Sequence, residues 1–303
     1  MGRILMYHNF ANSRDSDRNA VLVDDARAQL AYLRRHFEII PLSSLVEGLS
    51  SGARLKDRMV ALTVDDGRRN FYECFYPLLK EFALPATFFV VTSFIQGEDW
   101  IWTDKVLWLA DQSCPLDELA PEKIDHLFAE LNKMRPAVRE SKIADLAARM
   151  QVNIPLQPPA KYAPCSWSEL REMADSGLVE IGSHSVNHPI LSSLSDPEAL
   201  WQLKESRAQI ERNLGRNVSS FCFPNGKLGD YRAIHVQQVQ DAGYRSAVVA
   251  RFGLVSRASN VFELPRIGIS GRSDRISFSK DIDGAAYYQS KLGASLGLRG
   301  TWL

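Results

Sequence analysis

Short runs that are apolar on both sides recur along this chain. Examples are Met59-Val60-Ala61-Leu62-Thr63-Val64, Ala86-Thr87-Phe88-Phe89-Val90-Val91 and the run 218–223. Successive residues of a strand face opposite ways, so runs like these leave neither face for water. Between them lie stretches with helical spacing, such as 24–37 with Ala26, Leu30, Leu33 and Phe37, then 70–82, 196–214 and 231–242. That rhythm requires a parallel sheet covered by helices or closed on itself. About seven strand–helix units in 303 residues favour a (β/α) barrel, an α/β fold, over an open sheet. No Gly-x-Gly-x-x-Gly follows the first strand, which weakens a dinucleotide-binding alternative.

The rhythm breaks once. Residues 93–164 are irregular and rich in Trp (Trp100, Trp102, Trp108), with charged helical patterns near 121–134 and 137–150. We read residues 1–303 as a single domain with 93–164 inserted as a lid or substrate-binding segment. Lys plus Arg and Asp plus Glu both number 36, so the net charge is zero and nothing favours nucleic acid or an anionic membrane. Cys74, Cys114, Cys165 and Cys222 are scattered, against a disulfide framework or a structural zinc knuckle. The first residues enter a strand-like run directly, without a signal-peptide pattern, and no run is long enough to span a bilayer. The resulting expectation is a cytoplasmic chain.

Barrel chemistry gathers where strands end, and two strand ends here carry reactive groups. The first is Asp65-Asp66-Gly67. Both carboxylates can serve one site only if the chain leaves strand geometry, which Gly67 permits. An ordinary Asp-Gly turn is the competing reading. The second is His184-Ser185-Val186-Asn187-His188, where one helical turn would point two imidazoles the same way. Two His and a strand-end carboxylate make a three-ligand metal site with open positions, suited to Zn²⁺, Co²⁺ or Ni²⁺. An Fe(II) oxygenase uses the same donor set, but on all-β scaffolds.

These residues resemble a family. Thr63-Val64-Asp65-Asp66-Gly67 with His184-Ser185-Val186-Asn187-His188 is similar to the first two motifs of the NodB-homology polysaccharide deacetylases. The likeness extends through Phe221-Cys222-Phe223-Pro224-Asn225-Gly226, Asp241-Ala242-Gly243-Tyr244 and Leu264-Pro265-Arg266-Ile267. The opening Leu5-Met6-Tyr7-His8 resembles the subgroup of biofilm poly-N-acetylglucosamine deacetylases. The resemblance implies a deformed (β/α) barrel that removes acetyl groups from N-acetylated sugars with a divalent metal, most naturally zinc. It implies Asp66, His184 and His188 as metal ligands, Asp65 as general base and a backbone N–H near Asn225 for the oxyanion.

Two departures from the pattern call for substitutes. Cys222 stands where one form of the third motif has an Arg that orients the catalytic Asp. Arg266 is expected to supply that charge instead. The usual Leu-x-x-His acid is missing, since no His follows His235. His8 is expected to protonate the leaving amine, as assigned to the matching Tyr-His of the biofilm subgroup. Phe223, Trp102 and Tyr7 can stack on a sugar ring or belong to the core. Asp104 can bind substrate hydroxyls or cap a helix beginning at Lys105. His36, His126 and His235 read as surface residues, and Ser185 as a brace of the His turn. Besides deacetylation of a polymer, the pattern admits a deformylase or deacetylase of a lipid-linked or nucleotide-linked sugar. It also admits hydrolysis of a cyclic amide, and a carbohydrate-binding pseudoenzyme.

Overall fold

The both-sided apolar runs become strands buried on both faces: all five residues of Ala86–Val90 are enclosed. In this computed structural model the described residues are 1–13, 20–52, 56–113, 116–271 and 275–283. Among them the strands are β1 (Arg3–Tyr7), β2 (Phe10–Ala11), β3 (Val21–Leu22), β4 (Glu38–Ile39) and β5 (Met59–Val64). They continue with β6 (Ala86–Val90), β7 (Val179–Ser183), β8 (Ser220–Cys222), β9 (Ser246–Val248) and β10 (Ile267–Gly268). The first helices are α1 (Val23–His36), α2 (Leu42–Ser50), α3 (Tyr76–Phe82) and α4 (Thr92–Ile95). Next come α5 (Trp102–Ala110), α6 (Ile124–Leu131) and α7 (Pro136–Arg149). The last are α8 (Trp167–Asp175), α9 (Asp196–Leu214), α10 (Ala233–Asp241) and α11 (Arg275–Asp283). The helical tail expected beyond Ser279 is described only to Asp283; the rest lies outside the described residues.

The main sheet runs β10-β1-β5-β6-β7-β8-β9, with β4 also paired to β5. Every pairing in it is parallel. One segment closes it: Leu264 pairs with Val248 of β9, and Ile267 pairs with Leu5 of β1. The fold is a deformed (β/α) barrel. Its irregularity has a local source, since β8 and β9 are three residues long and β10 only two.

Register decides which side chains can meet. Tyr7 pairs with Val64, so His8 and Asp65 leave neighbouring strands side by side. Ser183 pairs with Phe221, which sets His184 next to Cys222. Between β6 and β7, helices α5 to α7 share a separate apolar cluster that includes Trp102, Val106, Leu127, Leu131, Ile143 and Leu146. No helix among the described residues is long and apolar enough to cross a membrane.

Candidate active site

The chain turns sharply after β5. Asp66 and Gly67 both take the left-handed backbone region, with φ of +83° and +93°. A side chain on Gly67 would place its Cβ 2.9 Å from Ile95 Cδ1. The bend therefore begins at Asp66 itself, an Asp being one of the few residues that tolerates it. Asp65 and Asp66 are both buried at the end of β5, where they meet different partners.

Asp66 faces the imidazoles. Its Oδ1 lies 3.7 Å from His184 Nε2 and 3.9 Å from His188 Nε2. Its Oδ2 lies 3.3 Å from Arg68 Nη2. His184 Nδ1 is 2.8 Å from the Cys222 carbonyl. That contact makes Nδ1 the protonated nitrogen and leaves the Nε2 lone pair facing Asp66. The 184–188 segment is a bend and not a helical turn, with positive φ at Ser185 (+70°) and His188 (+52°). Ser185 Oγ accepts from His188 N–H at 3.1 Å, so Ser185 braces the loop. From α9, Gln202 Oε1 accepts from the N–H of Val186 (3.0 Å) and Asn187 (3.4 Å), while its Nε2 donates to Asn187 Oδ1.

Asp65 is gripped by Arg266. Nη1 donates to Oδ1 and Nη2 to Oδ2, both at 2.7 Å. The guanidinium also donates to Thr63 Oγ1 at 3.0 Å and to the Val249 carbonyl at 3.2 Å. Cys222 fits beside this pair, its Sγ 3.4 Å from Asp65 Oδ2 and 3.2 Å from Arg266 Nη2. His8 Nε2 is 3.8 Å from Asp65 Oδ2, and its side chain is 44% exposed, so it alone of this group opens to solvent.

Burial sets the charges here. It would raise both carboxyls, but the nearby positive groups, led by Arg266 at Asp65 and by Arg68 at Asp66, together outweigh it and hold both below the ordinary range. Burial pushes the His184 imidazole down, and His188 down to about 3, so both are neutral. It drives the Cys222 thiol well above its usual value. Among the described residues two triplets bring their donor atoms within 4.8 Å of one another: Asp66, His184, His188 and Asp65, His184, Cys222. The second is a poor cation site, because its thiol is protonated and Arg266 already occupies both Asp65 oxygens. In the first, the Nε2–Oδ1 separations are too long for hydrogen bonds. They are close to the roughly 3.4 Å edge of a tetrahedron with metal–nitrogen bonds near 2.1 Å. Two neutral imidazoles and one carboxylate fit a divalent ion.

Several expected contacts are absent. Tyr7 is fully buried, packed on Phe10 and Phe75 with its hydroxyl on Gln29 Oε1. Phe223 is buried against Tyr231, and Trp102 against Phe128. None of the three offers a face to a sugar ring. The Asn225 side chain turns to Asp230 Oδ2 at 2.6 Å, leaving its backbone as what it offers the mouth. Asp104 neither caps a helix nor faces substrate: α5 begins at Trp102, and Asp104 is buried in an ion pair with Arg68. His235 is buried as well, its Nδ1 accepting from Arg232 N–H at 3.2 Å, whereas His126 is exposed. Arg68 and Gln202 lie outside the motifs that mark the site in the sequence. Arg68 follows Gly67 directly, but nothing in the one-dimensional order ties it to Asp104.

The family model for polysaccharide deacetylases matches residues 52–247. The chain belongs to that family. It is 25% identical over 307 residues to the poly-beta-1,6-N-acetyl-D-glucosamine N-deacetylase of Escherichia coli K12, covering 92% of this chain but 38% of the relative. The family member described here thus spans well under half the length of that protein. Among solved structures, Streptococcus pyogenes deacetylase PplD in complex with acetate superposes with a TM-score of 0.64 at 20% identity, over 92% of this chain and 97% of PplD. IcaB from Ammonifex degensii gives 0.62 at 18% identity, over 94% and 96%. These two likenesses bear on the fold.

Proposed function

We propose that this chain is a metal-dependent hydrolase that removes the N-acetyl group from an amino sugar of a polysaccharide or its precursor. The observation that carries the reading is the pairing of two adjacent carboxylates in different surroundings: Asp66 faces two neutral imidazoles, while Asp65 beside it is locked to Arg266. Family membership and the likeness to the Escherichia coli N-deacetylase support it.

In this reading Asp66, His184 and His188 hold the ion, which we take to be zinc. When bound, such an ion polarises the amide carbonyl and lowers the pKa of water to about 7. Asp65 accepts the proton of the attacking water, and the two Arg266 hydrogen bonds fix the direction of its lone pairs. A fully buried carboxylate would otherwise tend to protonate. Cys222 is small enough to let Arg266 approach from the far side of the strand end. The backbone N–H of Asn225 donates to the developing oxyanion. His8, exposed and 3.8 Å from Asp65, delivers a proton to the departing amine. Residues 93–164 act as the segment that covers the bound sugar.

The test is acetate release from N-acetylglucosamine oligomers, with metal content measured on the same sample. Release abolished by a chelator, restored by Zn²⁺, and lowered at least a hundredfold by Asp65→Asn is the expected result. Sugar binding without turnover in the zinc-loaded protein would instead identify a non-catalytic carbohydrate-binding protein.

A further inference from the structure

Behind the loop that begins at Asn225 lies a cavity of about 410 Å³. Leu228, Tyr231, Ala233, Arg251, Asn260 and Glu263 are among the residues that border it. Its volume is within the usual range of small-molecule sites, about 300–1,000 Å³. None of these side chains takes part in the proposed reaction.

Short hydrogen bonds tie the cavity walls to the catalytic residues. Asn225 Nδ2 donates to Asp230 Oδ2 at 2.6 Å, which closes the loop immediately before Tyr231. The Ala250 N–H donates to the Gly226 carbonyl at 3.0 Å. The Arg266 N–H donates to the Arg251 carbonyl at 2.9 Å, and the Arg266 guanidinium holds Asp65. The cavity is thus built on the same two segments, 225–231 and 249–251, that adjoin the Asp65–Arg266 pair.

The lining suits a neutral ring rich in hydroxyls. Tyr231 stacks one face on Phe223, with 4.4 Å between ring centres, and has the opposite face to offer. Exposed Leu228 borders the same space. Glu263 accepts from Tyr231 Oη and from Asn260 Nδ2, both at 3.0 Å, one bond to each carboxylate oxygen. Each oxygen keeps capacity for a further donor. Arg251 Nη2 stands 3.5 Å from Glu263 Oε1, and Arg232 pairs with Asp196, so both guanidinium charges already have counter-ions. An anion gains little in such a place. A sugar presents C–H faces to Tyr231 and Leu228, and hydroxyls that donate to Glu263 and accept from Arg251.

We propose that this cavity is a second saccharide subsite, which takes one neutral N-acetylhexosamine ring. The inference rests on the deacetylase reading and extends it, the ring coming from the substrate's own chain or from a separate sugar.

The experiment follows the methyl NMR signals of Leu228 and Val236, both at the cavity, in the zinc-loaded Asp65→Asn chain. The probes are N-acetylglucosamine, its pentamer and inorganic phosphate. A sugar is expected to shift both signals, and phosphate to leave them in place. Glu263→Gln should weaken the sugar response at least about tenfold, because a charge-assisted bond is lost. Ala233→Trp, at an exposed position, should abolish it by filling the space. Shifts with the monosaccharide assign a separate sugar, and shifts with the pentamer alone assign the substrate's own chain. No sugar shift, a shift with phosphate only, or equal affinities in both variants overturns the proposal. Acetate release by the wild type is measured in parallel. Sugar-dependent shifts without any release would sink the deacetylase reading and leave the subsite standing, and release without shifts would do the reverse.

Discussion

Arg266 and Cys222 divide between them a task that one side chain often performs. A guanidinium that meets both oxygens of Asp65 at 2.7 Å fixes the rotation of the carboxylate as well as its charge. Lysine cannot reproduce the fork. Arg266→Lys is therefore expected to keep the fold and lower kcat about a hundredfold, a loss typical of a misdirected catalytic group. Unchanged turnover would remove Arg266 from the account. His8 invites a separate measurement. His8→Ala should lower kcat a hundredfold or more while zinc content stays at the wild-type level, because His8 points at Asp65 and not at the Asp66 cluster. At this scale much was legible: strand-end residues announce themselves by following apolar runs, and Arg266 suggested itself once Cys222 occupied the usual Arg position. The aromatic residues were not legible. Tyr7, Phe223 and Trp102 look alike in sequence whether they face sugar or core, since only packing partners such as Phe75, Tyr231 and Phe128 decide it.

Elements deliver these residues through their ends. The turn after β5 works because Gly67, at φ +93°, leaves room for Ile95 and Val90. Gly67→Ala should cost about 1–3 kcal/mol of stability, read from urea unfolding, as a side chain is forced into a backbone region it avoids. The i, i+4 spacing of His184 and His188 would align two imidazoles on one helical turn, but the 184–188 segment is a bend. It is instead held by Ser185 and by Gln202 of α9, a contact that sequence spacing cannot register. His235 at the start of α10 gives a pH signature. Burial, then the Arg232 charge, lowers its pKa from 6.5 to about 4, so it folds as the neutral base that accepts from Arg232 N–H. The unfolded chain binds the extra proton between those values, so this contribution is full above about pH 6.5 and lost as pH falls toward 4. His235→Gln should flatten the stability curve across that window. A curve of unchanged slope would show that His235 is not the titrating group.

Across the whole molecule, a buried ion pair is among the contacts that join the barrel to the 93–164 segment. Arg68 follows the β5 turn and Asp104 lies in α5, two elements with separate apolar clusters. The barrel could be read from the strand rhythm, because burial on both faces is written into each run. The tie between the two clusters could not, because it joins residues that no periodicity relates. Arg68 stands between two carboxylates, Asp104 and Asp66, and its Nη2 is 3.3 Å from Asp66 Oδ2. Asp104 thereby offsets part of the guanidinium charge that Asp66 would otherwise face alone. With Asp104→Asn that offset disappears, Arg68 draws more strongly on Asp66, and the carboxylate becomes a poorer donor to a divalent ion. Zinc affinity, measured by competition with a chromophoric chelator, should weaken about 10- to 100-fold, the range found when a partner of a metal ligand is altered. Asp104→Asn with undiminished zinc affinity would mean that the inserted helices and the catalytic end of the barrel are electrostatically independent.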